Sequence, residues 1–279
     1  MKANRKEKNG VVYYTFPLLE REGIVHGFST RYGGVSEGVC ATMNLSFHRG
    51  DKREHVVENH RRFAEAVGYD KNNLVFSDQI HETTIRRVTR EDAGKGINRE
   101  SDIIGVDGLI SNDTDVVLMT FFADCVPLFF YDRKNHAIGA SHSGWRGTVA
   151  RIGAKTIREM GKAFGTKPQD VLCVIGPSIC QDCYEVSDQV AEQFQKEFDE
   201  KHWKEILLKK SEEKFQLDLW RANEIILQEA GVPENQIETS GLCTCCHPEE
   251  LFSHRASHGK RGNLAGVITL AEKGNSFHE

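Results

Sequence analysis

Thr120-Phe-Phe-Ala-Asp-Cys-Val-Pro-Leu-Phe-Phe130, followed closely by Ser141-His-Ser-Gly-Trp-Arg-Gly147, decides how this chain is read. Val116 to Ala123 is an apolar run that leads into Asp124-Cys125, and Ala137 to Ser141 leads into His142. Short apolar runs of this kind read as buried strands. Cys125 and His142 are therefore expected at strand ends, where a rigid sheet can aim them. A thiol and an imidazole so held make either a Cys–His nucleophile pair or two soft ligands for a metal.

Working outward, the strand-like runs are Val11–Phe16, Ile24–Ser29, Asn73–Ser77, Val116–Phe122, Val126–Tyr131, Ala137–Ser141, Val171–Ile175, Ile237–Leu242 and Leu264–Leu270. Helical periodicity marks Glu54–Val67, Thr148–Phe164, Ser187–Phe198 and Asp218–Ala230, the last ending at Gly231 before Pro233. Strands outnumber helices and do not alternate with them regularly. That is an α+β pattern with a mixed sheet and not a doubly wound nucleotide fold. Arg86 to Asp102 reads as an exposed excursion between strands. One domain covering 1–279 is expected.

The chain has 279 residues, 39% of them hydrophobic and 28% charged, as in soluble globular proteins. A net charge of −5 gives no broad basic surface and argues against nucleic acid as a partner. The first ten residues lack an apolar signal region, and no run of apolar residues is long enough to span a membrane. Eight cysteines without an export signal point to thiols in the reducing cytoplasm.

Cys125 follows an ionisable Asp124 and precedes Pro127, a setting unlike that of a cysteine that merely fills a core. His142 opens a turn in which Gly144 and Gly147 permit close backbone approach and Arg146 offers a fork of donors to a phosphate or carboxylate. Thr148 is expected to cap the following helix. His81, in Ser77-Asp-Gln-Ile-His81, completes a possible His/Cys/His set. Three protein ligands with a vacant fourth position describe a catalytic zinc site, in which coordinated water ionises near neutrality. The separations of 44 and 17 residues match no local zinc motif, so the set rests on tertiary convergence.

Cys180-Gln-Asp-Cys183 and Cys243-Thr-Cys-Cys-His247 compete as a structural zinc site, with Cys183 and Cys246 reading as the dispensable members. Two glycine-containing turns, His26 to Ser36 and Phe252 to Gly262, carry Arg31, Arg255 and Arg261 as candidate phosphate ligands. H-E-x-x-H, G-x-S-x-G and a strand-borne G-x-G-x-x-G are absent, as is the H-x-E with P-C-x-x-C of nucleobase deaminases.

Ala123-Asp-Cys-Val-Pro127, His142-Ser-Gly-Trp-Arg-Gly147, the His26 to Ser36 turn, Gln79-Ile-His81, Val106-Asp-Gly108, Tyr184-Glu-Val186, Leu217-Asp-Leu-Trp220, Cys243-Thr244 and Phe252-Ser-His-Arg255 together resemble the YfiH/YlmD family. Its members are bacterial laccase-domain, or polyphenol-oxidase-like, proteins, also called peptidoglycan editing factors. The resemblance runs from about residue 24 to residue 270. It implies a single-domain sandwich of mixed β-sheets flanked by helices, and zinc held by His81, Cys125 and His142. It also implies phosphorolysis of adenosine, inosine, guanosine and methylthioadenosine, with phosphate as co-substrate, and deamination of adenosine. Arg255 is similar to an arginine the family needs for activity; Arg31 and Arg146 join it as candidate ligands of the phosphate. Asp124 is a candidate general acid/base, or a partner orienting His81 or His142. Ser143 stands where the family usually has Ala. Copper is the lesser expectation, because multicopper oxidases need H-x-H pairs and this chain has none. The competing reading is a metal-independent Cys–His hydrolase acting on amide or peptidoglycan-like substrates.

Overall fold

Strict alternation along the apolar runs sorts their side chains onto opposite sheet faces, and that sorting builds the layers. The computed structural model describes residues 3–270. Its first sheet runs β1 (Asn4–Lys8), β2 (Val11–Thr15), β3 (Val25–Ser29), β15 (Leu264–Thr269), β7 (Val117–Phe122) and β4 (Leu74–Phe76). Every pair is antiparallel except β7 with β4. The second sheet runs β14 (Ile237–Thr239), β10 (Val171–Ile175), β8 (Val126–Asp132), β9 (Ala137–Ser143), β6 (Gly108–Ser111) and β5 (Ile85–Arg87), with parallel pairs at both edges. A small third sheet joins β11 (Glu185–Ser187), β13 (Lys214–Leu217) and β12 (Leu207–Lys209).

The two large sheets share one core. Leu118, Phe122, Leu264 and Ile268 of the first meet Phe129, Tyr131, Ile138 and Val174 of the second. The alternate residues face outward and are covered in turn. Val117, Met119, Ala265 and Val267 pack beneath Phe63 of α2 (Arg53–Val67), whereas Leu128, Phe130 and Cys173 pack beneath α4 (Ile152–Phe164) and α7 (Leu219–Glu229). Both sheets are thus buried on two faces, which explains why their sequences read as unbroken apolar runs. The result is the mixed α+β sandwich flanked by helices that the sequence implied.

All nine expected strands are present, with ends shifted by two residues at most except in β14, which stops at Thr239, three residues short of Leu242. The helix expected over Thr148–Phe164 is in fact two. α3 (Trp145–Val149) stops, Arg151 turns through a left-handed φ of 58°, and α4 begins at Ile152. Thr148 therefore lies inside a helix and does not cap one; its hydroxyl donates to Gly144 O at 3.0 Å. The Arg86–Asp102 excursion starts in β5 and buries Val88 and Ile97, so it is less exposed than its composition suggests. The short α1 (Pro17–Glu20) and α6 (Glu200–Ile206) were not legible, nor were β1, β6 and the third sheet. α5 (Asp188–Glu197) matches its expectation.

Two buried histidines brace this frame as neutral imidazoles. His26 accepts from the Phe16 amide at 2.8 Å, with Nδ1 2.7 Å from Ile24 O, and burial lowers its pKa to about 4. His60 on α2 sits 2.8 Å from Leu45 O, with burial lowering its pKa to about 3. The unfolded chain protonates both near pH 6.5 while the folded chain does not. Their contribution is complete above that pH and is lost as the pH falls toward the folded values, at roughly 1.4 kcal/mol per unit per histidine. Urea unfolding between pH 7 and pH 4.5 should show this decline, and His60→Gln should remove one histidine's share of the slope. An unchanged slope would take His60 out of the account.

Candidate functional site

Between β7 and β8 the chain crosses from the first sheet to the second, and the crossing consists of Ala123-Asp124-Cys125. Asp124 makes the turn at a φ of 87°, a left-handed conformation that costs a non-glycine residue roughly 1–3 kcal/mol. Pro127 pairs in register with His142 on the neighbouring β9, so the thiol and the imidazole emerge at the same end of the sandwich. His81 arrives from the loop after β4, itself at a φ of 66°. The donor atoms of His81, Cys125 and His142 lie within 4.8 Å of one another. The two imidazoles meet edge to face at 4.8 Å between centroids.

One carboxylate arranges both histidines. Asp107, fully buried, accepts from His142 Nδ1 at 2.8 Å and from the backbone amides of Ile80, His81 and Glu82 at 2.9–3.1 Å. Burial alone would raise its pKa, but these donors outweigh burial and lower it. With Nδ1 bonded to Asp107, Nε2 is the nitrogen of His142 left to ligate. Gln79 contributes by continuing the sheet with its side chain. Its amide donates to Phe121 O at 2.7 Å and accepts from Phe121 N at 2.7 Å, which fixes the loop that carries His81. Asp107 was read only as part of a motif, because nothing local to it points at residue 142.

The donor set suits a soft or borderline divalent ion such as zinc. A Cβ added at Gly144 would lie 3.1 Å from Cys125 Sγ and 3.2 Å from His81 Cδ2, so the space before the donors exists only because that residue is glycine. Burial resists ionisation of Cys125, but attraction and hydrogen bonding from His142 and His81 prevail and lower its pKa to about 6. Burial likewise opposes charge on His142, which Cys125 and Asp107 nevertheless raise to about 9. The pair therefore favours thiolate and imidazolium, the form from which a cation would displace the proton.

The donors open into a cavity of about 750 Å³, within the size of small-molecule sites. Arg255 lines it, with its guanidinium donating to Cys183 O at 3.1 Å and Glu185 O at 3.0 Å. Arg261 and Arg49 line it too, and burial lowers the Arg261 pKa to about 10. The Nε of Arg261 is buried with no hydrogen-bond partner among the described residues. Arg49 and His48 were not singled out from sequence, since no motif surrounds them.

Two expected ligands are elsewhere. Arg31 does not line the cavity; it donates to Ala41 O and Pro248 O and lies 4.7 Å over the Phe252 ring. Arg146 is exposed and stacks on its neighbour Trp145 at 4.4 Å. It is not among the residues lining the cavity, although its charge acts on Tyr184, which is. Asp124 does not orient either histidine. Its two oxygens accept from the Thr244 hydroxyl and the Arg255 amide, both at 2.7 Å. Ser143, buried, is satisfied by Thr148 and Asn223 at 2.9 Å each.

Residues 25–271 match a family described as multi-copper polyphenol oxidoreductase laccase. The chain is 36% identical over 250 residues to purine nucleoside phosphorylase YlmD of Bacillus subtilis, covering 89% of each. It is 39% identical to a purine nucleoside phosphorylase of Bacteroides thetaiotaomicron, over 91% of this chain and 94% of that one. The crystal structure of YlmD from Geobacillus stearothermophilus superposes with a TM-score of 0.89 at 33% identity, covering 96% of this chain and 98% of that chain. That of Bacillus licheniformis YfiH gives 0.88 at 33%, covering 95% and 98%. The fold, the ordered motifs and near-complete coverage agree: this chain belongs to the YlmD/YfiH laccase-domain family.

Proposed function

We propose that the protein is a zinc-dependent purine nucleoside phosphorylase, acting on adenosine, inosine, guanosine and methylthioadenosine, that also deaminates adenosine. The observation that carries this reading is the opening of one cavity onto both a His/Cys/His donor set and three half-buried arginines, Arg49, Arg255 and Arg261. The names of its relatives agree with it. Phosphorolysis needs an anion held beside C1′ of the nucleoside. Arg261, with its unpartnered Nε, and Arg49 supply that anion site from the cavity wall. Arg255 is fixed by the Cys183 and Glu185 carbonyls with its backbone amide on Asp124, so its charge is oriented before substrate arrives. Tyr184 also lines the cavity, and burial raises its phenol well above the ordinary range, leaving a protonated donor for the departing base. His81, Cys125 and His142 would hold the zinc, whose Lewis acidity brings water toward ionisation at neutral pH. Free thiols at all eight cysteines suit a cytoplasmic setting, and no described helix is long and apolar enough to cross a membrane.

Incubation with adenosine, with and without phosphate, followed by chromatography, tests the reading. Adenine should appear only with phosphate, inosine without it, and chelation should stop both. The Cys125–His142 pair also favours a second reading, a thiol hydrolase for amide or peptidoglycan-like bonds. Turnover of such a bond that survives chelation but not iodoacetamide would decide for it.

Arg261→Gln should raise the KM for phosphate by about 10–100-fold, the loss of a charge-assisted contact, while sparing phosphate-independent deamination. Equal damage to both reactions would argue against an anion site there. Asp107→Asn should weaken metal retention by about 10–100-fold in chelator competition, because one histidine loses its orienting partner. Gly144→Ala, which inserts a methyl among the donors, should act in the same direction. Wild-type metal affinity in both variants would separate these residues from the metal.

A further inference from the structure

The cysteines left over from the catalytic reading converge on a second point. The sulfurs of Cys180, Cys183, Cys243 and Cys246 all lie within 4.8 Å of one another. Cys180 and Cys246 are 3.9 Å apart, and Cys183 and Cys246 are 3.4 Å apart. Four thiolates at ~2.3 Å from a tetrahedral zinc would be spaced at ~3.8 Å. The pattern is two C-x-x-C knuckles, Cys180-Gln-Asp-Cys183 and Cys243-Thr-Cys-Cys246, brought together across the fold. Backbone amides of Cys180 and Cys246 reach Cys243 Sγ at 3.2 and 3.4 Å. Amide donors to sulfur act as supporting bonds behind a ligand. A disulfide would join only two of the four and needs sulfurs at ~2.05 Å.

We propose that these four cysteines bind a zinc ion in closed tetrathiolate coordination, a structural site separate from His81, Cys125 and His142. Four protein ligands leave no open position, so the ion fixes the chain and does no chemistry. Cys183 and Cys246 are then required ligands and not the dispensable members that spacing suggested, while Cys245 stands outside the set. The ion would cross-link two segments that lie behind the cavity wall formed by Ile179, Tyr184 and Arg255. Thr244, between two of the ligands, donates to Asp124 at 2.7 Å. The carbonyl of Cys183 accepts from Arg255 at 3.1 Å. Backbone bonds tie these segments at a single bridge of Ser178 with Cys243, in which the Ser178 amide donates to Leu242 O and the Thr244 amide to Ser178 O, each at 3.1 Å.

Metal content of the full chain, purified under reducing conditions, tests this directly. Zinc per chain should fall by one in Cys180→Ser/Cys183→Ser and stay unchanged in Cys245→Ser. The Tm of the double variant should drop by roughly 10 °C. If that variant does not fold, Cys246→Ser removes the exposed ligand alone, and cobalt exchanged into the wild type should show the charge-transfer absorption of several thiolates. A His81→Ala/His142→Ala variant should keep one zinc, which the further loss of Cys180 and Cys183 abolishes. That arm stands even if the catalytic centre holds no metal, since the wild type would then carry one ion instead of two. Zinc content indifferent to the cysteine variants would overturn the site. So would a Cys183–Cys246 disulfide in the reduced preparation, or the visible colour of tetrathiolate iron.

Discussion

Asp107 is the constraint on which the candidate site depends. A carboxylate with no exposure to water must be paired, and leaving one unpaired costs several kcal/mol. Here the pairing is shared between an imidazole on β9 and three consecutive amides of the His81 loop. The same atoms that solvate the charge therefore bring two ligand-bearing segments into register. His81 occupies a left-handed conformation because that loop is wrapped around Asp107, and the strain is balanced by the amide bonds it permits. The convergence of the His/Cys/His donors is a by-product of satisfying one buried anion.

The sandwich supplies the rest of the placement. Sheets that are apolar on both faces leave no room for polar side chains except at their ends and crossings. The passage from β7 to β8 is such a crossing, and Asp124-Cys125 occupies it. Asp124 is drawn toward Thr244 and Arg255, on the side where the C-terminal segment returns before entering β15. Cys125 is left to face the two histidines. Gly144 keeps the space in front of them open. The two halves of the cavity thus have separate supports: Asp107 behind the His/Cys/His donors, and Asp124 together with the Cys183 and Glu185 carbonyls behind Arg255.

Arginines show the limits of local reading. Arg31, Arg146, Arg255 and Arg261 all fall in turns that contain glycines, and local reading treats them alike. Arg31 donates to two carbonyls over the face of Phe252 and does not line the cavity, and the exposed Arg146 stacks on the adjacent indole. Arg261 lines the cavity with a buried Nε that has no hydrogen-bond partner among the described residues, while its Nη atoms reach Gly262 O, Asn263 Oδ1 and His254. Guanidinium groups travel far on flexible stems, so their destinations follow from the partners that surround them.

The amino-acid sequence by itself determined the strands and helices that carry the site, because alternation and helical periodicity are local consequences of burial. It also marked Cys125, His142 and His81 as chemically loaded, through apolar runs that end on reactive side chains. It did not show the break at Arg151, where a left-handed residue splits a periodic stretch that reads as one helix. Only the tertiary structure decided which donors meet: that Asp107 lies behind His142, that Arg31 binds the Pro248 carbonyl and does not line the cavity, and that Cys183 and Cys246 join Cys180 and Cys243. Those pairings link positions tens of residues apart. They are selected by the need to satisfy buried charge and sulfur once the sheets have closed, a condition that no local stretch of the chain expresses.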